Sequence, residues 1–349
     1  ERRRVYFAEQ KFNTMRKARD NNFRSTPGLN AADVTIFEKG KGQEGFGAFK
    51  NFFKRSELKG EGSFGQVFDG TLKTPEGKEM PIVLKRSKDN VIGGNEMLQL
   101  ELILNQEVSS RAGSVVSPFQ GFIDVSEEEE GQIYDGYLST GLWLLWEDLQ
   151  GRTLDAYLYD TDGTRWNQDF AKIMGRGSTD VVVALGRQLF ESMKVFHSEG
   201  LVHRDIKPEN LLILKDGSVR FIDLGATASC LSKPVSYEVG VGPQDPAYTA
   251  PDDSVLLPEG TTKPTMENLE ELWQKYLPDR FDVYAAATLL LQTACPALRE
   301  REALVNFQTT MSSTGYDLAS VRQKLGLRSP ALDANNGAGW NLIGRCLSK

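Results

Sequence analysis

A short run of charged and polar residues between two apolar flanks has the spacing most suggestive of chemistry. In LVHRDIKPENLLI, Asp205 is followed by Lys207 and then by Asn210. An aspartate can orient a hydroxyl and accept its proton, a lysine can steady a transferring anionic group, and an asparagine can coordinate magnesium. Asp223, after a second apolar run, can bridge that ion to phosphates. A polar turn is the alternative, but the ordered set favours phosphoryl transfer from a nucleotide.

A glycine-rich stretch, LKGEGSFGQVF, precedes this run. Glycines let backbone amides approach phosphate oxygens closely. The following residues, QVFDGTL, are β-like, which favours a hairpin lid over the strand, glycines and helix of a dinucleotide site. No Gly-Lys-Ser or Gly-Lys-Thr follows, so the stretch is not a P-loop. Its expected nucleotide-binding residues are Gly60, Gly62, Ser63, Phe64, Gly65 and Val67.

A lysine and a glutamate are expected to work as a pair. Lys85 ends the apolar run PIVLK, from which it can reach the α and β phosphates. In the helical segment that follows, Glu101 is expected to pair with Lys85 and hold it extended, with Glu96 as the competitor. Asn105, one turn after Glu101, stands at a position that is usually apolar in the family that these motifs resemble, and it leaves the helix register open.

Residue patterning predicts an α+β fold with two lobes. Residues 50–147 contain short β-like runs around one helical segment at 95–109, which predicts a small β-rich N-lobe. In residues 148–349 helical patterns dominate, as at 181–197 and 281–292, which predicts a larger, mostly helical C-lobe. This lobe is expected to be cut short at its end.

The first 49 residues carry no such pattern of strands. Residues 1–24 are predicted to form a basic amphipathic helix, either packed on the main domain or held near anionic lipid, and residues 25–49 a glycine-rich linker. The chain begins with Glu1, which is expected of a fragment or a processed form.

Composition excludes several classes of protein. The net charge of −7 argues against a nucleic-acid-binding surface over the whole protein, because neutralising phosphates needs a basic excess. The three cysteines have no metal-ligand spacing and are expected to be free thiols. No stretch has the 18 or so consecutive apolar residues of a membrane span, so this chain is expected to be soluble.

Together these motifs resemble the eukaryotic protein kinases over roughly residues 50–349. The resemblance implies the two-lobed kinase fold, ATP and Mg²⁺ as cofactors, and catalytic roles for Lys85, Glu101, Asp205 and Lys207. It assigns the metal to Asn210 and Asp223, adenine contacts to Val67, Val83, Glu147, Leu149 and Leu212, the back-pocket position to Trp146 and the anchor of the catalytic loop to Asp282.

This sequence departs from the family pattern at several positions. Asp-Leu-Gly stands at 223–225 and Ala-Pro-Asp at 250–252, where the family usually has Asp-Phe-Gly and Ala-Pro-Glu. Lys207 favours Ser/Thr specificity, although Asp245 stands where Ser/Thr kinases usually have Thr. Arg204 can pair with a phosphorylated activation loop. Candidate acceptors there are Thr227, Ser229, Ser232, Ser236 and Tyr237.

A closer resemblance is to the chloroplast state-transition kinases of thylakoid membranes. It rests on DVYAAATLLLQTACPALR at 282–299, NFQ at 306–308, YDL at 316–318 and GAGWNLI at 337–343. It implies light-harvesting antenna proteins as substrates, a stromal catalytic face and a membrane anchor outside this chain. A pseudokinase scaffold and a small-molecule kinase of similar fold are the alternative functions, and the oligomeric state stays open.

Overall fold

Most of the chain beyond residue 52 is described by a computed structural model, in which it forms two compact units. The first unit ends at Leu149 and leaves out Ser114–Val116, which belong to the second unit with the residues from Gln150 onwards. The helix and linker predicted for residues 1–49 lie outside the described residues. The described ranges are 53–62, 64–73, 79–89, 91–125, 138–158, 165–175, 181–229, 245–250, 256–262, 264–265 and 267–348.

An antiparallel five-stranded sheet dominates the first unit. Its strands are β1 (Phe53–Glu61), β2 (Gly65–Lys73), β3 (Glu79–Ser87), β4 (Phe119–Val125) and β5 (Gly141–Glu147), in the order β1-β2-β3-β5-β4. Side chains alternate between the two faces of a strand. One face therefore carries the apolar core, with Ile82 and Leu84 of β3 beside Trp143 and Leu145 of β5.

Helix α1 (Gly94–Ala112) covers the opposite face of this sheet. Leu98 and Leu102 of the helix pack against Leu144 of β5. Lys85 lies directly opposite Leu144 in the antiparallel register, so its side chain is on the same face. The register of the strands therefore directs Lys85 towards the helix that carries the expected partner.

The second unit is mostly helical. Its helices are α2 (Leu154–Leu158), α3 (Arg165–Met174), α4 (Val181–Ser198), α5 (Leu269–Tyr276), α6 (Arg280–Ala294), α7 (Arg301–Ser313), α8 (Leu318–Leu325) and α9 (Pro330–Leu347), the last interrupted at 334–337 by non-helical backbone. Helix α6 is buried on nearly all sides, which makes it the centre of this core. Among the described helices, none is both long and apolar enough to cross a membrane.

Short strands in the second unit frame the segment from His203 to Asn210. Antiparallel strands β6 (Arg152–Thr153), β8 (Leu211–Ile213) and β9 (Val219–Phe221) form one sheet, and β7 (Leu201–Val202) pairs with β10 (Ala228–Ser229) in another. The segment therefore leaves one sheet after β7 and enters the other at β8. A loop fixed at both ends in this way can hold polar side chains in defined positions.

Candidate active site

The Asp205 carboxylate is held by two donors from its own loop. Lys207 donates from Nζ to both carboxylate oxygens, at 3.0 and 2.8 Å, and Asn210 donates from Nδ2 to Oδ2 at 2.8 Å. Burial lowers the pKa of Lys207, but the charge of Asp205 and its hydrogen bond outweigh this and leave that pKa above its usual value. The lysine therefore stays charged beside the carboxylate at neutral pH.

A buried aspartate of helix α6 fixes the backbone beneath this loop. Asp282 is fully buried and accepts the backbone N–H groups of His203 and Arg204, each at 2.8 Å. His197 of α4 contacts the same carboxylate at 2.9 Å. Arg204 holds a left-handed φ of 67°, which is uncommon for a residue other than glycine. Asp282 thus stabilises a strained turn immediately before Asp205.

His203 is a core residue, as the sequence predicted. Its side chain is fully buried, with ring centroids of Phe196 and Phe221 at 5.9 and 5.0 Å. Burial lowers the pKa of His203 below its usual value and outweighs the opposing charges of Asp282 and Asp205. A neutral ring in an apolar cluster is suited to packing rather than proton transfer.

Strand pairing brings the two expected metal ligands into one neighbourhood. Leu211 of β8 is paired with Phe221 of β9, and the Ile222 N–H donates to the Asn210 carbonyl at 3.0 Å. Asp223 is the next residue, exposed and with a left-handed φ of 57°. The Asn210 amide nitrogen is used within the loop, so its oxygen is the atom suited to a cation. A carboxylate and an amide oxygen are the hard ligands that Mg²⁺ prefers.

The first unit contains the predicted ion pair. Lys85 Nζ lies 2.8 Å from Glu101 Oε2 and 3.0 Å from Oε1, and the two side chains are 17% and 5% exposed. Glu96, the competing candidate, lies in the first turn of α1. Glu101 is therefore the partner of Lys85, and the helix register that Asn105 left open is settled. Catalytic roles for the pair stay a prediction.

Residues 53–265 match the protein kinase domain family. This range spans the lysine and glutamate pair, the loop of Asp205 and the position of Asp223. The chain belongs to the protein kinase family. The predicted fold class, a β-sheet lobe and a helical lobe of the kinase type, is thereby confirmed.

The kinase also resembles chloroplast Ser/Thr kinases, as the sequence predicted. It is 31% identical to serine/threonine-protein kinase STN8 of Arabidopsis thaliana over 85% of this chain and 66% of that protein. It is 31% identical to STN7, another chloroplast kinase of Arabidopsis thaliana, over 84% of this chain and 53% of that protein. This chain therefore spans about half to two thirds of these curated relatives.

A solved structure supports the same relationship. The kinase superimposes on the crystal structure of an Stt7 homolog from Micromonas algae, soaked with ATP, with a TM-score of 0.77 and 32% sequence identity. The match covers 93% of this chain and 91% of that one. A likeness of this extent relates both units of the kinase to that structure, beyond the short motifs alone.

The glycine-rich stretch forms the predicted hairpin between β1 and β2. At its tip the Gly62 N–H donates to the Gly65 carbonyl at 2.9 Å, and the Lys88 N–H donates to the carbonyl of the exposed Phe64 at 3.0 Å. Ser63 lies outside the described residues. Gly65 packs so closely that a Cβ there would lie 3.0 Å from the Arg86 carbonyl oxygen and 3.2 Å from Lys85 Cε.

Substitution of Gly65 with Ala is expected to disturb Lys85, whereas Gly60→Ala is not. A methyl group at Gly65 has to displace the Lys85 side chain or strand β3, while one at Gly60 meets no heavy atom within 4 Å. We expect Gly65→Ala to lower kcat about tenfold or more and to lower the Tm of the nucleotide-free protein. Gly60→Ala should leave that Tm unchanged. Equal effects of the two substitutions on Tm would contradict the close contact at Gly65.

The residues expected at adenine occupy defined positions within each unit. Val67 and Val83 are half-buried and share the sheet face of Lys85, because Val67 is paired with Lys85 and Val83 precedes it by two residues. The Glu147 N–H donates to the Pro118 carbonyl at 3.0 Å, so its carbonyl is the group suited to a ligand. Leu149 ends the first unit, and Leu212 is half-buried in β8 of the second. Their contacts with adenine stay predictions.

Residues 245–250, the expected peptide-docking segment, are held by helices α6 and α7. Asp245, the residue in place of Thr, forms an ion pair with Arg301 at 2.8 Å. Burial and Asp205 have the larger effects on the pKa of Lys207, and the charge of Asp245 raises that pKa further. Two glutamines hold the rest: Gln308 donates to the Ala247 carbonyl at 2.9 Å, and the Tyr248 hydroxyl donates to Gln292 at 2.7 Å. Gln292 and Gln308 lie in the runs at 282–299 and 306–308 that carry the closer resemblance, but no sequence pattern indicated that these two residues or Arg301 would contact this segment.

Two of the proposed phosphorylation sites are inaccessible in this structure. Thr227 and Ser229 are fully buried, the second within strand β10. A kinase cannot reach a buried hydroxyl, so the structure argues against these two residues as phosphate acceptors. Ser232, Ser236, Tyr237 and the Asp252 of Ala-Pro-Asp lie outside the described residues.

Proposed function

We propose that this kinase transfers the γ-phosphoryl group of ATP to Ser or Thr hydroxyls of protein substrates. One observation carries the proposal: the Asp205 carboxylate is oriented by Lys207 and Asn210, on a backbone that buried Asp282 anchors. A polar turn without catalytic work does not need a buried anchor, a strained residue and two donors on one carboxylate. The three features together are suited to orienting a reacting hydroxyl.

In the proposed reaction, Asp205 accepts the proton of the substrate hydroxyl as that oxygen forms its bond to the γ-phosphorus. The bond from the γ-phosphorus to the oxygen that bridges it to the β-phosphorus breaks, and ADP leaves. Lys207, kept charged by Asp205, stabilises negative charge on the transferring group. Positioning and electrostatic stabilisation supply most of the rate enhancement in such reactions.

Nucleotide-binding roles are proposed for residues of each unit, taken separately. Lys85, held extended by Glu101, binds the α and β phosphates, and the hairpin glycines allow backbone N–H groups to approach the phosphates. Asn210 and Asp223 would hold Mg²⁺, which supplies positive charge that neutralises the phosphates when it is bound. The ATP soaked into the Stt7 homolog supports ATP as the nucleotide.

Ser/Thr specificity is proposed from Lys207 and from the relatives. Both Arabidopsis relatives are named serine/threonine-protein kinases, and they match most of this chain. Asp245 in place of Thr does not remove the positive charge of Lys207, because it adds a further negative charge near it. The Asp245–Arg301 ion pair keeps the segment at 245–250 in place.

The biological setting is proposed from the same relatives. Both are chloroplast proteins, so we propose a chloroplast location for this kinase. By the resemblance to state-transition kinases, we propose that its catalytic units lie on the stromal side of the thylakoid. Light-harvesting antenna proteins are the proposed substrates, by the resemblance to state-transition kinases. A membrane anchor outside this chain would place the kinase beside such substrates.

Incubation with labelled ATP and three kinds of acceptor tests the function. We expect label on antenna protein, weaker label on casein and none on sugars, with phosphoserine or phosphothreonine after hydrolysis. Antenna peptides in which the labelled Ser or Thr is replaced by Val or by Tyr are the matched controls and should not be labelled.

Each alternative function predicts a different outcome of this experiment. Nucleotide binding with transfer to none of the proteins would support the pseudokinase and overturn the proposal. Transfer to sugars alone would support the small-molecule kinase. Label on casein without antenna protein would retain the Ser/Thr kinase and overturn the proposed substrate.

A further inference from the structure

A buried polar contact links helix α1 to the sheet of the first unit. Asn105 is 1% exposed, in a helix face that otherwise packs through leucines. Its Nδ2 donates to the Glu101 carbonyl at 2.8 Å, and its Oδ1 accepts from the indole Nε1 of Trp146 at 2.9 Å. Both ends of the amide are therefore used, one on the helix and the other on strand β5.

Trp146 is itself well fixed at the sheet end of this contact. Its backbone is paired with Val83 of β3, two residues before Lys85 and on the same face. Its ring meets that of Phe119 edge to face, with centroids 5.5 Å apart. An indole held by strand pairing and an aromatic neighbour is a rigid donor for Asn105.

The hydrogen bond between Asn105 and Trp146 completes a closed path of interactions, here called the circuit, which includes the ion pair. Starting from Lys85, the circuit runs through Glu101 to Asn105 in the helix, across to Trp146 and back along the sheet. Leucine packing between helix and sheet is non-directional, so by itself it tolerates small rotations or shifts of the helix. A hydrogen bond fixes distance and angle.

We propose that Asn105 and Trp146 form a latch that positions Glu101 for its ion pair with Lys85. They are positioning residues, since they act through Glu101 rather than on the nucleotide, and their catalytic effect rests on the proposed function. An apolar residue at 105 would pack equally well but could not link the helix to Trp146. The latch thus explains a polar residue at a position where packing alone favours an apolar one.

Three variants test the latch: Trp146→Phe, Asn105→Leu and the double variant. Each single change leaves the polar atom of the other side chain without its wild-type partner, so we expect Tm to fall by about 5 °C and kcat by about tenfold. The double variant removes both polar groups, and we expect its Tm to recover while kcat stays low. Recovery of kcat together with Tm would overturn the latch and leave a structural role only.

A second readout does not depend on activity. Partial acylation, mapped by mass spectrometry, measures how accessible each lysine is. We expect Trp146→Phe to raise the acylation rate of Lys85 about threefold or more, because its ion pair opens more often, with no change at Lys59, which pairs with Asp69. An unchanged rate at Lys85 would overturn the latch, even if wild-type protein proved to have no kinase activity.

Epistasis shows whether the latch acts through the glutamate. In a Glu101→Ala background the ion pair with Lys85 is already lost. Adding Trp146→Phe to this variant should therefore change its residual kcat less than twofold. A further tenfold loss in that background would show that Trp146 affects turnover by another route and would overturn the proposal.

Discussion

Asp205→Asn is expected to lower kcat by about 1,000-fold with little change in KM for ATP. The amide cannot accept the hydroxyl proton, although it is nearly isosteric with the carboxylate. Two donors, Lys207 Nζ and Asn210 Nδ2, converge on Oδ2 at 2.8 Å, so the variant can keep its oxygen there and retain the fold of the loop. A steady-state assay with protein substrate gives kcat, and circular dichroism checks the fold.

Asp216→Asn is the matched control for this substitution. Asp216 lies in the turn between β8 and β9 of the same unit, where its carboxylate accepts from the Ser218 N–H at 2.9 Å. It is exposed and takes no part in the proposed chemistry, so kcat should be unchanged. A kcat for Asp205→Asn above a tenth of the wild-type value would rule out Asp205 as the proton acceptor.

Local sequence patterns predicted the parts of the site that depend on neighbouring residues. Asp205, Lys207 and Asn210 lie within one short loop, so their spacing already limits where their side chains meet. Lys85 and Glu101 come from adjacent elements, and strand alternation with helix periodicity directed them to one face.

Contacts between distant elements could not be predicted in the same way. Arg301 and Gln308 hold the segment at 245–250 from a helix that lies more than 50 residues later in the chain. Charged and amide residues are common on helices, and although Gln308 lies in the NFQ run at 306–308, no pattern in the sequence shows which residues these two contact. The fold alone decides which of them meet the segment.

Asn105 shows how a departure from pattern can be informative. As a sequence feature, a polar residue among leucines weakened the prediction of the helix register. In the structure its side chain accepts a hydrogen bond from Trp146 and so joins helix to sheet. Local and global preferences disagree most often at functional positions, which is why such a residue is worth testing.

Asp282→Ala is expected to destabilise the second unit strongly and to abolish turnover. The variant leaves the buried N–H groups of His203 and Arg204 without an acceptor, which costs about 3 kcal/mol or more of the free energy of unfolding. The strained turn at Arg204 also loses its support, so Asp205 is displaced even in molecules that stay folded. Urea unfolding and kcat measured on the same preparation test both effects.

The pH dependence of this loss identifies the carboxylate as its source. Burial raises the pKa of Asp282, but its hydrogen bond with His197 and the charge of that residue outweigh this and hold the pKa below the usual range. An aspartate whose pKa is lower in the folded protein than in the unfolded chain stabilises the fold at pH values above the unfolded pKa of about 3.9. This stabilisation is lost as the pH falls through the lower pKa of the folded protein. The difference in stability between wild type and Asp282→Ala should therefore narrow as the pH falls below about 4.

Asp317→Ala is the control for Asp282→Ala, because it also removes an aspartate that accepts hydrogen bonds but removes it from the surface. Asp317 caps helix α8 by accepting the Ala319 N–H at 3.1 Å, and it is exposed on the surface. Water can replace that acceptor, so the loss of stability should be much smaller, with kcat unchanged. If Asp282→Ala were no more destabilising than Asp317→Ala, the buried carboxylate would not be the anchor of the loop. The positions of Asp205 and Lys207 would then have to depend on strands β7 and β8 alone.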